Sequence, residues 1–183
     1  MVPLKGTSKP ARLSLSMTPI SIRPYQATDA ASLTGLFRDS VRSIAARDYT
    51  TAQLHAWAPD VIDEGKFGHR CASKATWVAE VGSRIAGFSD LEPDGHIDML
   101  YVQLDFQRRG IARALLRHVE ETARAKDLRR LYTEASITAR PAFEAVGFRV
   151  IVPQTVALRG EVMTNYRMEK RLVAQADLPP PTL

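Results

Sequence analysis

Cysteine is nearly absent from this 183-residue chain, in which Cys71 is the single example. One thiol cannot form an internal disulfide, and it offers too few sulfur ligands for a structural metal site. No apolar run approaches the roughly 20 residues that a membrane-spanning helix needs, and no signal-peptide hydrophobic segment is present. We therefore expect a cytoplasmic protein with no membrane partner, no disulfide framework and no metal site.

Acidic residues are the scarcer charged class, 20 against 25 lysines and arginines, which gives a formal net charge of +5. A basic chain invites the hypothesis of a nucleic-acid partner. However, Arg108, Arg109, Arg113 and Arg117 lie close together, and a site for one polyanionic small molecule accounts for this cluster. We expect no nucleic-acid partner, and an affinity for duplex DNA that hardly changes with salt would exclude one.

The two ends of the chain lack clear hydrophobic periodicity. Residues 1–18 contain no acidic residue, and residues 173–183 contain three prolines. We predict a disordered leader over 1–18, in which Met17 is an alternative start, and a disordered proline-rich tail over 173–183. The intervening residues 19–172 are numerous enough to bury one core, so we expect a single domain there.

Hydrophobic patterning predicts the order βααβββαβαββ, with one further short helical piece. The predicted strands cover residues 20–23, 76–81, 84–88, 96–102, 129–133, 147–152 and 162–169. The predicted helices cover residues 28–46, 50–58, 61–66, 111–123 and 138–146. Antiparallel hairpins combined with one β–α–β crossover indicate the α+β (mixed α/β) class.

A short motif marks the start of the predicted helix over residues 111–123. The segment Gln107–Ala112 follows the pattern Q-x-x-G-x-A and comes directly after a hydrophobic strand. Unpaired N–H groups and the helix dipole make such a helix start attractive to anions. Gly110 allows a phosphate to approach the backbone closely, and the small Ala112 keeps the first turn clear.

This strand–loop–helix unit resembles the acetyl-CoA pyrophosphate loop of the GNAT superfamily of N-acetyltransferases. A second motif, Ala135-Ser136-x-x-Ala139-x-x-x-Phe143, followed by Gly147-Phe148, is similar to the fourth-helix motif of that family. The resemblance covers about residues 20–172, and the segment 48–57 resembles a YafP-like bacterial branch. It implies a mixed, mainly antiparallel sheet of six to seven strands flanked by helices, whose fourth and fifth strands splay apart.

The resemblance implies acetyl-CoA as the co-substrate. The loop would bind the pyrophosphate, the preceding strand would pair with the pantetheine amides, and the fourth-helix motif would pack beside them. The cofactor-binding residues implied in this way are Leu100, Tyr101, Val102, Gln107, Arg108, Arg109, Gly110, Ile111, Ala112, Ser136, Ala139 and Phe143.

Transfer to an amine requires a proton acceptor. A lysine-like amine has a pKa of about 10.4, so at neutral pH only about 0.1% is free base, a deficit of roughly 4 kcal/mol. In an alternating strand, His96, Asp98 and Leu100 share a face. Family members carry a general base at the position of His96 or two residues later, so His96 is the predicted base and Asp98 orients it or acts through a water. A solvent-facing histidine after a turn is the alternative.

The general acid departs from the family pattern. Family members commonly place a tyrosine four residues before the Gly-Phe pair, where this chain has Phe143. A phenyl ring can pack beside pantetheine but cannot donate a proton. Tyr166 is the predicted substitute, with Tyr101 or the absence of any acid as alternatives, since a thiolate is a tolerable leaving group.

The acceptor is a small-molecule or peptide amine that the sequence does not name. The resemblance places its pocket near Arg47-Asp48-Tyr49, Trp57 and Asn165-Tyr166. We thus predict an N-acetyltransferase that moves an acetyl group directly from acetyl-CoA to a primary amine, and we leave homodimerisation open. A non-catalytic acyl-CoA-binding or regulatory module on the same fold is the alternative, because fold does not fix activity.

Overall fold

The computed structural model describes residues 19–172, and the predicted leader and tail lie outside this range. Within it the strands are β1 (Ile20–Pro24), β2 (Ala75–Val81), β3 (Arg84–Leu91), β4 (Leu100–Val102), β5 (Arg130–Ser136), β6 (Arg149–Leu158) and β7 (Glu161–Arg171). The α-helices are α1 (Ala30–Asp39), α2 (Thr51–Trp57), α3 (Glu64–Ala72), α4 (Ile111–Ala125) and α5 (Arg140–Glu144). No helix in the described range has the length and apolar character needed to cross a membrane.

The strands form two antiparallel sheets, one in the order β1-β2-β3-β4 and the other in the order β5-β7-β6. An isolated parallel bridge between His96 and Tyr132 connects them. Beyond this bridge, β4 and β5 belong to different sheets, so a cleft opens between them. The predicted α+β fold, a mainly antiparallel arrangement of seven strands with splayed fourth and fifth strands, is confirmed.

Helices cover both faces of the first sheet. On one face, α4 packs through buried residues one helical turn apart, including Ile111 and Leu115. On the other face, α1 and α3 contribute to a second buried cluster, which contains Phe67. The neighbouring residues Val78 and Ala79 of β2 belong to different clusters, as expected when successive side chains point to opposite sides of a sheet.

The prediction of a continuous strand over residues 96–102 is wrong, because β4 begins only at Leu100. The Asp90 Oδ1 atom accepts the backbone N–H groups of both Asp98 and Met99, each at 2.9 Å. A side chain from β3 therefore binds two backbone N–H groups that would donate to a neighbouring strand in a regular sheet. The expected alternation of side chains holds only in a regular strand, so it does not apply to this segment.

The predicted helix over residues 28–46 is also interrupted. After α1 the backbone widens into a π-helical turn, Ser40–Ile44, and ends in a 3₁₀ turn, Ala45–Arg47. Hydrophobic spacing does not separate these helix types, since each forms only one or two turns here and so short a stretch does not reveal its period. The widened turn places the Ser40 hydroxyl where it donates to the Val102 carbonyl of β4 at 2.9 Å.

Two helix starts were predicted with different success. The capping box before α2 is confirmed, with Gln53 Oε1 accepting the Thr50 amide at 2.9 Å and Thr50 Oγ1 accepting the Gln53 amide at 3.3 Å. The short helix predicted over residues 61–66 is wrong, because α3 begins later and is longer. Asp63 sets this start, since its carboxylate accepts the amide of Lys66 at 2.9 Å.

Gly95 allows the close backbone approach that makes the bridge between the sheets. Its φ is +94°, its carbonyl accepts the Tyr132 amide at 3.0 Å, and a Cβ there would lie 2.2 Å from the Arg130 carbonyl oxygen. We expect Gly95→Ala to lower the free energy of unfolding by about 2 kcal/mol or more, because left-handed strain adds to a backbone clash. Urea denaturation measures this loss.

Gly160→Ala is the matched control for that substitution. Gly160 also has a left-handed φ, +85°, but a Cβ there would meet no atom within 4 Å. We expect this variant to lose only about 1 kcal/mol of stability, because the alanine adds left-handed strain without a clash. Equal losses at the two positions would contradict the close-approach explanation.

Candidate functional site

The divergence of β4 and β5 encloses a cavity of about 320 Å³. We call the end next to the His96–Tyr132 bridge the apex, and residues 107–112 at the other end the anion loop. The walls between them come from β4, β5, α5 and the turns that follow α1. A ligand in this cavity would therefore extend from the anion loop toward the apex.

The anion loop has the geometry predicted for a helix start. Gly110 adopts a left-handed conformation with φ +84° immediately before α4, and Arg108 is also left-handed with φ +59°. The amide of Ala114 makes a hydrogen bond of 2.9 Å to the Gly110 carbonyl, so the N–H groups of the first turn before it have no intrahelical carbonyl to bind. A Cβ at Gly110 would meet no atom within 4 Å, which leaves room for a bulky anion.

The structure brings the predicted cofactor-binding residues together around this cavity. All of them line it except Arg109, whose guanidinium carbon lies 5.2 Å from the centroid of the Phe106 ring. Ser136 holds the turn into α5, because its Oγ accepts the Ala139 amide at 3.0 Å. Phe143 is buried at the cavity wall and packs edge-on against Phe148, with ring centroids 5.1 Å apart.

Asp98 lines the cavity near the apex and is held by two cations. Its Oδ2 accepts hydrogen bonds of 2.6 Å from both Arg70 Nη2 and Lys74 Nζ. Burial acts to raise the pKa of Asp98, but the hydrogen bonds from Lys74 and Arg70 outweigh it and the pKa is lowered. The carboxylate is therefore ionised and neutralised by its partners.

His96 does not line the cavity. Its Nε2 lies 2.6 Å from Glu134 Oε2, its Nδ1 lies 3.3 Å from Glu92 Oε2, and its ring stacks on Tyr132 with centroids 4.8 Å apart. Burial acts to lower the pKa of His96, but the two glutamates outweigh it and the pKa is raised. The prediction that Asp98 orients His96 is wrong, because Arg70 and Lys74 occupy Asp98 and the glutamates hold the imidazole.

Glu134 is a cavity residue that the sequence analysis missed. It follows the bridging Tyr132 by two positions on β5, so both side chains lie on one face of the strand. The predicted strand ended at residue 133, and the sequence gives no sign that β5 continues to Ser136. Extending that strand would have identified a second carboxylate beside the cleft.

The two candidate tyrosines lie in different places. Tyr101 lines the cavity, and its burial raises the pKa of the phenol, so the hydroxyl is protonated at neutral pH and able to donate. Tyr166 is not among the residues that line the cavity. The Arg140 guanidinium carbon lies 4.7 Å from the centroid of its ring.

Some of the candidate acceptor residues line the cavity and others do not. Arg47 and Trp57 line the cavity. Tyr49 is buried, and its hydroxyl donates to the Thr164 carbonyl at 2.7 Å and accepts the Ile137 amide at 2.9 Å. Two others are engaged elsewhere: Asp48 accepts the Thr138 hydroxyl at 2.6 Å, and Asn165 accepts the Gln154 amide at 3.2 Å.

Known proteins resemble this chain over most of its length. A family model described as an acetyltransferase (GNAT) domain matches residues 45–170. The uncharacterized N-acetyltransferase YafP of Escherichia coli (strain K12) is 37% identical over 152 residues, which are 83% of this chain and 96% of that protein. A GCN5-related N-acetyltransferase from Rhodopseudomonas palustris superimposes with a TM-score of 0.81 at 34% identity, covering 86% of this chain and 99% of the other.

A more distant structure shares the fold. The yncA protein of Salmonella typhimurium, solved with its cofactor acetyl-CoA, superimposes with a TM-score of 0.65 at 16% identity, covering 89% of this chain and 99% of the other. The splayed cleft, with an anion loop at one end and ionisable side chains at the other, is thus set in a fold that recurs among proteins of this kind.

Proposed function

This chain belongs to the GNAT acetyltransferase family, and from that membership we propose that it transfers an acetyl group directly from acetyl-CoA to a primary amine. The observation that carries the proposal is the cavity between β4 and β5, which joins the anion loop to the carboxylates near the apex. We assign this activity to residues 19–172 as one domain.

The residues of the cleft fit acetyl-CoA. The N–H groups around Gly110 would hold the pyrophosphate, because that helix start is left-handed, free of side chain and flanked by Arg108. The β4 edge at Leu100–Val102 faces the cavity and would pair with the pantetheine amides. Phe143 would pack beside the arm. Bound there, acetyl-CoA supplies an activated acyl group near the apex.

The protein residues near the apex would handle the protons. His96 as the base and Asp98 acting through a water stay predictions, as does the role of Tyr166 as the acid. The position of Tyr101 at the cavity wall supports it as the alternative donor to the leaving thiolate. On the acceptor side, Arg47 and Trp57 lie where they would contact the incoming amine.

Release of free thiol from acetyl-CoA tests this function across a panel of primary amines. We expect amine-dependent thiol release, with the acetylated amine identified by mass spectrometry. Tight binding of acetyl-CoA without turnover on any amine would instead favour a non-catalytic acyl-CoA-binding module. Failure to bind acetyl-CoA at all would contradict both.

A further inference from the structure

Two carboxylates follow the bridge between the sheets at matching positions. The parallel bridge joins His96 to Tyr132, and the residues two positions further along the chain are Asp98 and Glu134. Both line the cavity close to the point where the strands separate. An amine that attacks an acyl group near the apex would therefore meet a carboxylate from each side.

The two carboxylates differ in their surroundings. Asp98 is bound through one oxygen by the cations of Arg70 and Lys74. Lys74 also contacts Asp90 and Glu92, so Asp98 belongs to a network of ion pairs. Glu134 receives one hydrogen bond, from His96 to Oε2, and its Oε1 has no hydrogen-bond partner among residues 19–172. Arg167 lies opposite Glu134 on β7, but the two form no ion pair within that range. Among residues 19–172, Glu134 is therefore the carboxylate without a lysine or arginine partner, and an ammonium group would supply the cation that Asp98 already has.

His96 is placed to hold Glu134 rather than to reach a substrate. Glu134 lies at its Nε2, Glu92 at its Nδ1, and the Tyr132 ring covers one face of the imidazole. These three contacts hold the imidazole ring in place, and the ring is not part of the cavity lining. A charge-assisted hydrogen bond of 2.6 Å from the imidazole fixes the Glu134 carboxylate in turn.

We propose that Glu134 receives the proton of the acceptor ammonium group and that His96 is a positioning residue that acts through Glu134. This assignment rests on the proposed acetyl transfer. The ammonium nitrogen gives one proton to Glu134, and its lone pair forms the C–N bond as the C–S bond to coenzyme A breaks. The nitrogen then loses a second proton to the thiolate, and Glu134, whose side chain is 39% exposed, returns its proton to solvent.

Glu134→Gln tests the base, because glutamine keeps the size of the side chain but accepts no proton. The probes are n-butylamine and tryptamine, which are protonated at neutral pH, and hydroxylamine, which is mostly free base. We expect kcat/KM to fall about a hundredfold for the protonated amines, within the usual range for a general base, and less than about threefold for hydroxylamine. Glu121→Gln, an exposed carboxylate on α4, is the control and should behave as wild type.

An equal loss for both kinds of acceptor, or no loss, would overturn the assignment of Glu134. Wild-type protein that binds acetyl-CoA but releases no thiol to any of these probes would overturn the proposed function, and the base assignment with it. The two failures are therefore distinguishable.

His96→Ala alone and combined with Glu134→Gln tests the positioning role. We expect the single variant to lose rate with the protonated amines only, because a mobile carboxylate accepts the proton less efficiently. In the Glu134→Gln background, loss of His96 should have no further effect, since residues that act as a unit are not additive. A further loss in the double variant would show that His96 acts independently of Glu134.

Discussion

Gly110→Glu is expected to abolish binding of coenzyme A. A side chain at this position is strained by the φ of +84° and projects into the open space at the start of α4. The new carboxylate would occupy the place proposed for the pyrophosphate and would repel it, while the helix start loses its free approach to a phosphate. We expect the affinity measured by titration calorimetry to fall more than about a hundredfold, the equivalent of roughly 2.7 kcal/mol.

Gly160→Glu separates this effect from strain and added charge. Gly160 has a nearly identical φ of +85°, and a Cβ there would also meet no atom within 4 Å, but it lies in the turn between β6 and β7, away from the cavity lining. This variant should bind coenzyme A as tightly as wild type. Equal affinities of the two variants would contradict the placement of the pyrophosphate at the anion loop.

Lys74→Met is expected to give the largest loss of stability. The Lys74 side chain is 8% exposed, and its Nζ lies 3.0 Å from Oδ2 of Asp90, whose side chain is fully buried. It also contacts Glu92 and Asp98, at 2.7 Å and 2.6 Å. Removing the cation leaves a buried carboxylate without charge compensation, which costs about 3–5 kcal/mol. Urea denaturation at neutral pH measures the free energy of unfolding.

The loss caused by Lys74→Met should depend on pH. Burial raises the pKa of Asp90 in the folded protein, and loss of the Lys74 charge raises it further. A carboxyl group whose folded pKa exceeds its unfolded pKa binds more protons when folded, so the stability of the variant rises as the pH falls toward that pKa.

Asp98 also makes the stability difference between wild type and variant smaller at acidic pH. Its lowered pKa contributes stability that is present above the unfolded pKa and is lost as the pH falls through the folded one. That loss begins only below the usual Asp pKa of about 3.9, so the smaller difference expected near pH 5 comes from Asp90, and Asp98 adds to it at lower pH. The difference between wild type and variant should be largest at neutral pH. A difference independent of pH would contradict an electrostatic cause.

Lys66→Met is the control for this experiment. Lys66 lies on α3, and its side chain is 87% exposed and 3.7 Å from Asp63. A solvated ion pair contributes little to stability, so this variant should unfold nearly as wild type does at every pH.

The features that could be predicted from the sequence are those in which the deciding residues are close together in the chain. The anion loop needs only Gln107 to Ala112 and the helical spacing that follows, and the capping box needs only Thr50 and Gln53. Both depend on hydrogen bonds within one turn of backbone, so neighbouring residues suffice.

The chemistry near the apex could not be predicted in this way, because distant residues determine it. Alternation placed His96 and Asp98 together, but Asp90, from the neighbouring strand, takes the amides of Asp98 and Met99 and disrupts the strand. The partner of His96 is Glu134, which is 38 positions away and adjacent only because the bridge pairs the two strands. Such contacts follow from strand register, which local periodicity does not contain.

The Tyr49 hydroxyl has a mechanical consequence. Tyr49 follows the helical segment that packs on the first sheet. It bonds Thr164 of β7, in the second sheet, at 2.7 Å and Ile137, which directly follows β5, at 2.9 Å. If the two sheets were joined only at the apex, they could rotate apart about that point and widen the cleft. Here the Tyr49 phenol oxygen joins the sheets at a second place, so moving them apart must break both hydrogen bonds of that oxygen. The two sheets are therefore joined on the Tyr49 side of the cleft as well as at the apex.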